Sequence, residues 1–153
     1  MTRLVNLLSP ARVMWRVEVS SKKRIFELAA EQIAEVEPDL SDDDIYTQLL
    51  AREKLGTTGL GQGVAIPHCR VEGCAQPLGC LITLDQAIPF DAPDNVPVDL
   101  LFVLLVPLEA TQEHLDILAE LAGRFSDPAY CSALRNAHSS ADLLDSAVHS
   151  EAA

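Results

Sequence analysis

The feature that most constrains the fold is an unbroken apolar segment past the middle of the sequence. Residues 98–107 read VDLLFVLLVP, and residues 100–106 are all apolar. Residues of these types favour strands, and a strand without polar alternation is covered on both faces. The apolar run is also far shorter than the about 20 residues that cross a bilayer. It therefore predicts a central strand in a sheet that is packed on both sides.

Helical and extended segments are mixed on either side of this strand. Segments with helical periodicity follow N-cap residues, which we predict at Ser20 and Ser21, Ser41, Thr111 and Asp127, and a last helical segment begins near Ser140. Further strands are predicted at residues 13–19, 64–66 and 78–84. No internal repeat or linker-like composition divides the chain. We therefore predict one α/β sandwich with a mostly buried sheet.

The charge and the cysteines limit the kinds of partner and compartment. The chain of 153 residues has a formal net charge of −12. Phosphate backbones and anionic lipids select basic surfaces, so this charge argues against binding to nucleic acid or to a membrane surface, and a basic protein partner fits better. No signal peptide is readable, so we expect no membrane insertion and a cytoplasmic location. The cysteines are then expected to be reduced thiols, at Cys69, Cys74, Cys80 and Cys131.

A glycine-rich loop leads into a histidine. Residues 59–70 read GLGQGVAIPHCR, with His68 directly after Pro67. The glycines follow a helix and precede a strand, which is the reverse of a dinucleotide fingerprint, and the Lys and Ser/Thr of a Walker loop are missing. A zinc site is not favoured either, because paired ligand spacing is missing among the nearby candidates His68, Cys69, Cys74 and Cys80.

Two interpretations of this loop then remain open. One is a turn that carries a structural histidine, which is the ordinary role of a lone histidine. In the other, Gly59, Gly61 and Gly63 allow another body to approach the backbone, and Pro67 fixes the chain just before the imidazole. A neutral imidazole at a strand end can attack phosphorus while peptide N–H groups hold the transferred oxygens.

A longer pattern around the loop resembles a known family. The segment E-x6-LGQGVAIPHC, residues 53–69, resembles the phosphorylation-site signature of phosphotransferase-system enzyme IIA domains of the fructose/mannitol type. Within that group, SKKR (21–24), REKLGTTG (52–59) and FDAPDNVPVDLLFVLLVP (90–107) resemble the nitrogen-regulatory branch. The resemblance covers residues 20–145. It implies one domain over residues 1–153, with a core of about 5–148 and a mixed central sheet of about five strands flanked by helices.

The resemblance also implies roles for particular residues. His68 would accept a phosphoryl group on Nε2, with Arg52 and His114 beside it. Phosphoryl transfer spreads charge over three equatorial oxygens, which an arginine can bind through two donors and a histidine near a helix start can also contact. We expect further phosphate contacts from the Thr58 hydroxyl and from Gly61 and Gly63. No metal ion or organic cofactor is implied, because transfer between two histidines is nearly symmetric.

Several of these residues also have an ordinary structural interpretation. Arg52 by itself would be a solvated helix arginine, and His114 could lie at the edge of an apolar helix stripe. Arg70 and Lys54 are interpreted as surface charges. Cys69 stands where the family commonly has glycine, and it would put an oxidation-sensitive thiol beside the site. Acidic residues follow the site and could form either a rim for a basic carrier protein or a solvated face, namely Asp85, Asp91, Asp94 and Asp99.

Three functional hypotheses follow from the resemblance. In the first, the protein is a phosphocarrier that receives the phosphoryl group from a phosphorylated HPr-like (NPr-type) carrier protein. It would then regulate protein targets in nitrogen metabolism and potassium transport by phosphorylation-dependent binding. In the second, it is a sugar-specific IIA protein that passes the group to a IIB domain. In the third, it is a binding module that does not depend on phosphorylation.

Overall fold

The structure is a computed structural model that describes residues 4–109 and 112–149. In chain order, the described elements are α1 (Leu4–Leu7), a 3-10 turn (Pro10–Arg12), β1 (Val13–Val17), α2 (Lys22–Val36), α3 (Asp42–Leu55), β2 (Gly59–Gly61), β3 (Val64–Ala65), β4 (His68–Arg70), β5 (Leu78–Ile88), β6 (Val98–Val106), α4 (Gln112–Phe125), α5 (Pro128–Arg135) and α6 (Ser140–His149).

The strands form one mixed sheet around β6. The described strands are ordered β1-β5-β6-β3-β2, and β4 also pairs with β6, which makes six strands rather than the predicted five. β6 is antiparallel to β5 and parallel to both β3 and β4. β1 is parallel to β5. The predicted α/β architecture with a mixed central sheet is confirmed.

β6 is covered on both faces, as its apolar sequence requires. All side chains from Leu100 to Val106 are buried. On one face, Leu101, Val103 and Leu105 pack with apolar residues of α2 and α3. On the other face, the alternate residues pack with α1, α4, α5 and α6. Successive side chains of a strand point to opposite faces, so the apolar residues 100–106 contribute alternately to the two cores. Neither face of this part of the strand can therefore be polar.

The helix boundaries follow local capping chemistry. The side chains of Ser21, Ser41 and Asp127 each accept a hydrogen bond from a backbone N–H of the helix that they precede. These predicted N-caps are therefore confirmed. The predicted cap at Thr111 lies outside the described residues. Ser140 begins α6, as predicted.

The strand predictions were less complete. β1 ends at Val17, so the strand predicted at residues 13–19 is shorter than expected, whereas β5 extends beyond the predicted 78–84 to Ile88. β2 and β4 were not predicted. Each has three residues, which is too short for an alternating pattern to show in the sequence.

β3 and β4 lie one after the other along the same edge of β6. Val64 pairs with Leu100, and His68 pairs with Leu104. Between them, the backbone N–H of Leu104 donates to the carbonyl of Pro67 at 2.9 Å. His68 is thereby held beside the carboxyl-terminal half of the most buried strand of the sheet.

A pair of glycine substitutions tests the packing around β6. A Cβ at Gly79 of β5 would overlap the ring of Phe102, whereas a Cβ at Gly123 of α4 would meet no atom within 4 Å. We expect Gly79→Ala to lower the free energy of unfolding by about 1–3 kcal/mol through overpacking. Gly123→Ala should instead raise it by up to about 1 kcal/mol through helix propensity. Urea unfolding measures both, and a Gly79→Ala protein as stable as wild type would contradict the packing described here.

Candidate functional site

Both ring nitrogens of His68 have a partner. The distance from Nδ1 to the carbonyl oxygen of Ile66 is 2.7 Å. Nε of Arg52 donates to Nε2 of His68 at 3.3 Å. A carbonyl oxygen can only accept, and a guanidinium can only donate. The partners therefore assign the proton to Nδ1 and leave a lone pair on Nε2.

Arg52 is held in place by a second contact. It lies in the last turn of α3, where a positive charge is favourable to the helix dipole. Its NH1 group donates to the carbonyl of Gly56 at 2.9 Å, while Nε points to His68. The two contacts orient the plane of the guanidinium toward the imidazole. The sequence left open whether Arg52 is a solvated helix residue, and the structure places it against His68.

His114 is the third side chain of the site. It lies in the first turn of α4, and its ring centroid is 5.6 Å from that of His68, with the ring planes at 76°. Its Nε2 atom is buried and has no hydrogen-bond partner among the residues that the structure describes. Three residues that are distant in sequence are thus brought together, as the family resemblance implied: Arg52, His68 and His114.

The surroundings favour neutral imidazoles. Burial lowers the pKa of His68 below its ordinary value of 6.5, and the charge of Arg52 acts in the same direction. The bond to Ile66 and the charge of Glu53 oppose this shift without reversing it. Burial also lowers the pKa of His114, assisted by the charges of His68, Arg70 and Arg52.

These shifts link the site to folding stability. Because the folded pKa of each histidine is below 6.5, the unfolded chain binds more protons as the pH falls through 6.5. Their contribution to stability is therefore complete above that pH and is lost below it. Above it, an uncharged His68 with a lone pair on Nε2 is a nucleophile.

Thr58 does not offer a free hydroxyl to this site. Its Oγ1 donates its hydrogen to Oε1 of Glu53 at 2.6 Å. The hydroxyl has a single proton, and a buried carboxylate is a strong acceptor for it. In this arrangement the Thr58 hydroxyl anchors the loop, and its expected contact with a phosphoryl group stays a prediction.

Gly61 and Gly63 lie at the opposite end of the β3–β4 edge. The carbonyl of Gly63 accepts from the N–H of Leu100, whereas His68 pairs with Leu104. Four residues of strand separate those positions by about 13 Å. This separation argues against the expected contact of these glycines with a phosphoryl group on His68.

The two glycines instead form a tight turn that other parts of the chain cover. Gly61 and Gly63 have φ values of 97° and 82°, which favour glycine. Oδ2 of Asp94 accepts from the N–H of Gln62 at 2.7 Å, and Arg135 donates to the carbonyl of Gln62 at 2.8 Å. The groups that approach the backbone of this glycine turn are therefore side chains of the same protein, Asp94 and Arg135.

Cys69 is not part of the site. It follows His68 in β4, so its side chain points to the opposite face and is buried with α2 and α3. Burial raises the pKa of its thiol to about 12, and the charge of Asp44 adds to this. Because oxidation needs an accessible thiolate, the expected oxidation sensitivity is wrong. All four cysteines are free and buried, in agreement with the expectation of reduced thiols.

The acidic residues after the site do not form a rim of unpaired carboxylates. Asp85 pairs with Arg16 at 2.8 Å, and Asp99 pairs with Arg135 at 2.9 Å. Asp94 accepts from the N–H of Gln62, in the turn between β2 and β3, and from the N–H of Val96 in its own loop. The remaining member, Asp91, lies 3.6 Å from the ammonium group of Lys22. Each carboxylate thus has a local role in holding loops.

Arg70 is exposed, as its interpretation as a surface charge predicts, but its charge acts on the site. It follows His68 by two positions in β4 and therefore shares its face of the strand. Its NH1 group donates to the carbonyl of Leu108 at 3.0 Å. Its charge lowers the pKa of His114 more than that of Arg52 does. The spacing of two residues between His68 and Arg70 indicates that they share a face only once β4 is known to be a strand.

The chain is similar to known proteins over nearly its whole length. The family model described as phosphoenolpyruvate-dependent sugar phosphotransferase system, EIIA 2, matches residues 6–147. A nitrogen regulatory protein of Pseudomonas aeruginosa is 46% identical over 137 residues, which cover 90% of this chain and 89% of that protein. A nitrogen regulatory protein of Escherichia coli K12 is 43% identical over 129 residues, covering 84% and 78%.

Solved structures are similar over nearly the whole chain. The nitrogen regulatory protein IIA-Ntr of Neisseria meningitidis superposes with a TM-score of 0.85 at 44% identity, covering 92% of this chain and 95% of that one. IIA mannitol of Escherichia coli has a TM-score of 0.74 at 19% identity, covering 91% and 97%, and therefore supports the fold alone. Within residues 4–109 and 112–149, no helix is long and apolar enough to cross a membrane.

The electrostatics of the site can be tested by titration. We expect Arg52→Gln to raise the pKa of His68, because a positive charge and a donor to Nε2 are removed. The pKa should still remain below 6.5, because burial is the larger cause. Lys54→Gln removes a neighbouring charge that is exposed and makes a matched control with no expected shift. ¹H–¹⁵N NMR of the imidazole measures these values, and a wild-type pKa at or above 6.5 would refute the account.

Proposed function

This chain belongs to the phosphoenolpyruvate-dependent sugar phosphotransferase system EIIA 2 family, and from that premise we propose that His68 is the phosphoryl acceptor of a phosphocarrier protein. The donor is a phosphorylated HPr-like (NPr-type) carrier protein. The observation that carries the proposal is the pair of contacts on His68, with Nδ1 against the Ile66 carbonyl and Nε2 against Arg52.

The two contacts prepare His68 for the transfer step. The lone pair of Nε2 forms a bond to phosphorus while the bond between phosphorus and the donor nitrogen breaks. The electrons of the broken bond return to the donor imidazole. Nδ1 keeps its proton and its bond to Ile66 throughout, so His68 exchanges no proton with water during the step. Neutral His68 is the reactive form, and burial keeps it neutral.

Arg52 supplies the positive charge that the transferred group needs. Its guanidinium already lies at Nε2, where the phosphoryl group would be attached. A guanidinium can bind two phosphoryl oxygens through parallel N–H groups, which a lysine cannot do. His114 adds a second contact, since its buried Nε2 atom lies in the ring next to His68 and can bond to a phosphoryl oxygen. The protein thus acts as a transferase in the sense of a carrier with a phosphohistidine intermediate.

The regulatory part of the proposal follows from the relatives. Two relatives that are 46% and 43% identical are nitrogen regulatory proteins. We propose that this chain also regulates protein targets, in nitrogen metabolism and potassium transport, by binding them according to its phosphorylation state. A phosphoryl group adds negative charge at a site whose nearby side chains are Arg52, Arg70 and His114. Such a change is large enough to alter a protein interface there. The reduced cysteines fit a cytoplasmic location.

A second candidate is a sugar-specific IIA protein. The complex of enzyme IIAMTL with phosphorylated enzyme IIBMTL of Escherichia coli includes a chain that matches this fold, with a TM-score of 0.76 at 18% identity. Transfer of label from phosphorylated protein to purified IIB domains separates the candidates. Efficient transfer to one IIB domain would favour the sugar-specific role, and retention of the label would favour the regulatory one.

Intact mass spectrometry tests the acceptor residue. After incubation with a phosphorylated HPr-type carrier, we expect wild type to gain one acid-labile phosphoryl group and His68→Ala to gain none. His138→Ala removes an exposed histidine and should behave as wild type. His68→Ala should remain folded by circular dichroism, because His68 is only partly buried. A phosphorylated His68→Ala protein would contradict the assignment.

The rate of acceptance tests Arg52. Arg52→Ala should slow phosphoryl acceptance by about 10²–10³-fold, the range for removal of one preorganised donor from a charged transition state. Lys54→Ala, which removes the exposed charge two residues later in α3, should leave the rate unchanged. Rapid-quench measurements with labelled carrier give both rates. Equal rates for the Arg52→Ala and Lys54→Ala proteins would show that Arg52 does not contribute to phosphoryl acceptance.

A further inference from the structure

A buried carboxylate lies behind the site. Glu53 directly follows Arg52 in α3, and its side chain is 6% exposed. A buried charge is costly unless it is paired and hydrogen-bonded. Oε2 lies 2.9 Å from Nζ of Lys22, and Oε1 accepts the Thr58 hydroxyl at 2.6 Å. Both oxygens also lie within 3.2 Å of the backbone N–H of Thr58.

The hydrogen bonds continue from Thr58 to the reactive histidine. The carbonyl of Thr58 accepts from the N–H of Ile66 at 3.0 Å. The carbonyl of Ile66 in turn accepts from Nδ1 of His68 at 2.7 Å. The hydrogen bonds link five residues in series, in the order Lys22, Glu53, Thr58, Ile66, His68.

The segment around Ile66 is held by its surroundings on both sides: the Ile66 side chain is buried in the core, and the carbonyl of Pro67 accepts from the N–H of Leu104. Ile66 lies between β3 and β4, and its N–H bond to Thr58 fixes one side of the residue. The next residue, Pro67, has no N–H group and so cannot anchor the following peptide by donation. The bond to Thr58 is therefore the hydrogen bond that holds the amino-terminal side of Ile66, and it contributes to the direction of the Ile66 carbonyl. A displacement of Thr58 therefore displaces the Ile66 carbonyl, which is the acceptor for the proton on Nδ1 of His68.

From this series we infer that Glu53 is a positioning residue: by clamping Thr58 it holds the Ile66 carbonyl against Nδ1 and thereby keeps the lone pair of His68 on Nε2. The inference rests on the proposed function of His68 as the phosphoryl acceptor. Two consecutive residues of α3 then control the two nitrogens of one ring. Arg52 contacts Nε2 directly, and Glu53 acts on Nδ1 through the loop.

The proposed role of Glu53 also accounts for its ion pair with Lys22, which phosphoryl acceptance by His68 does not itself require. Lys22 begins α2, far from His68 in sequence, and its ammonium group is within 2.9 Å of Glu53 and 4.4 Å from the centroid of the Phe90 ring. These contacts fix the far side of the carboxylate, so that its other oxygen stays directed at Thr58. Lys22 also lies 3.6 Å from Asp91, whose carboxylate is 90% exposed.

The test uses two conservative substitutions near the same lysine. Glu53→Gln keeps the shape but removes the charge, and its amide cannot accept from Lys22 and Thr58 at both positions. Asp91→Asn removes the exposed carboxylate from Lys22 without touching Thr58, and asparagine tolerates the φ of 57° at that position. The readouts are the ¹⁵N chemical shifts of the His68 ring at a pH above its pKa, and the rate of phosphoryl acceptance from labelled carrier.

We expect wild type and Asp91→Asn to carry the proton on Nδ1. In Glu53→Gln, the share of the Nε2–H tautomer should rise, and the maximal rate should fall about 10–100-fold, the range for removing the partner that orients a metal-binding histidine. The KM for the carrier should not change, because Glu53 is buried. If Glu53→Gln does not fold by circular dichroism, Thr58→Val serves instead, because it removes only the hydroxyl bond and should shift the tautomer in the same direction.

Some outcomes would overturn the inference. A folded Glu53→Gln protein with the wild-type tautomer would do so, as would a wild-type ring with its proton on Nε2. A shifted tautomer with an unchanged maximal rate would also refute a role in the reaction. If wild type accepts no phosphoryl group while Glu53→Gln still shifts the tautomer, the proposed function fails and the positioning by Glu53 stands. The tautomer measurement needs no carrier, so the two failures are distinguishable.

Discussion

Burial of β6 on both faces is the constraint on which the rest of the structure depends. From Leu100 to Val106 its apolar side chains fill a core on each side of the sheet, so polar contacts along that run are left to the backbone groups at its two edges. One edge pairs with β5 and the other with β3 and β4. The second edge is interrupted at Pro67, and His68 follows directly. The histidine is therefore held at the edge of a strand whose residues 100–106 are all buried.

The site combines His68, which is held at the edge of the sheet, with side chains from two helices. The last turn of α3 brings Arg52 to Nε2, and the first turn of α4 brings His114 beside the ring. Helix ends suit this purpose, because each can project a side chain over the edge of the sheet while the rest of the helix packs on it. Burial then keeps both imidazoles neutral. A reactive lone pair, a fixed proton and a positive charge thus result from packing and from a few backbone hydrogen bonds.

The sequence predicted the features that depend on local chemistry or on long patterns. The central strand, the helix caps at Ser21, Ser41 and Asp127, and the α/β class follow from periodicity and capping. The grouping of Arg52, His68 and His114 was available only through the family resemblance, since it depends on distant segments meeting. The structure gives Thr58, Gly61, Gly63 and Cys69 local contacts that the sequence did not predict: the Thr58 hydroxyl donates to Glu53, and strand geometry separates the other three from His68. Closeness to His68 along the chain is not closeness in space when a strand and a tight turn intervene, and a strand places neighbours on opposite faces.

The central claim is that Nε2 of His68, and no other atom, takes the phosphoryl group. The most direct test is NMR of the phosphorylated protein with ¹⁵N-labelled histidine, which detects the coupling between phosphorus and the nitrogen bonded to it. The account predicts coupling to Nε2 of His68, with the proton still present on Nδ1. Coupling to Nδ1 of His68, or to a nitrogen of His114, would contradict the account.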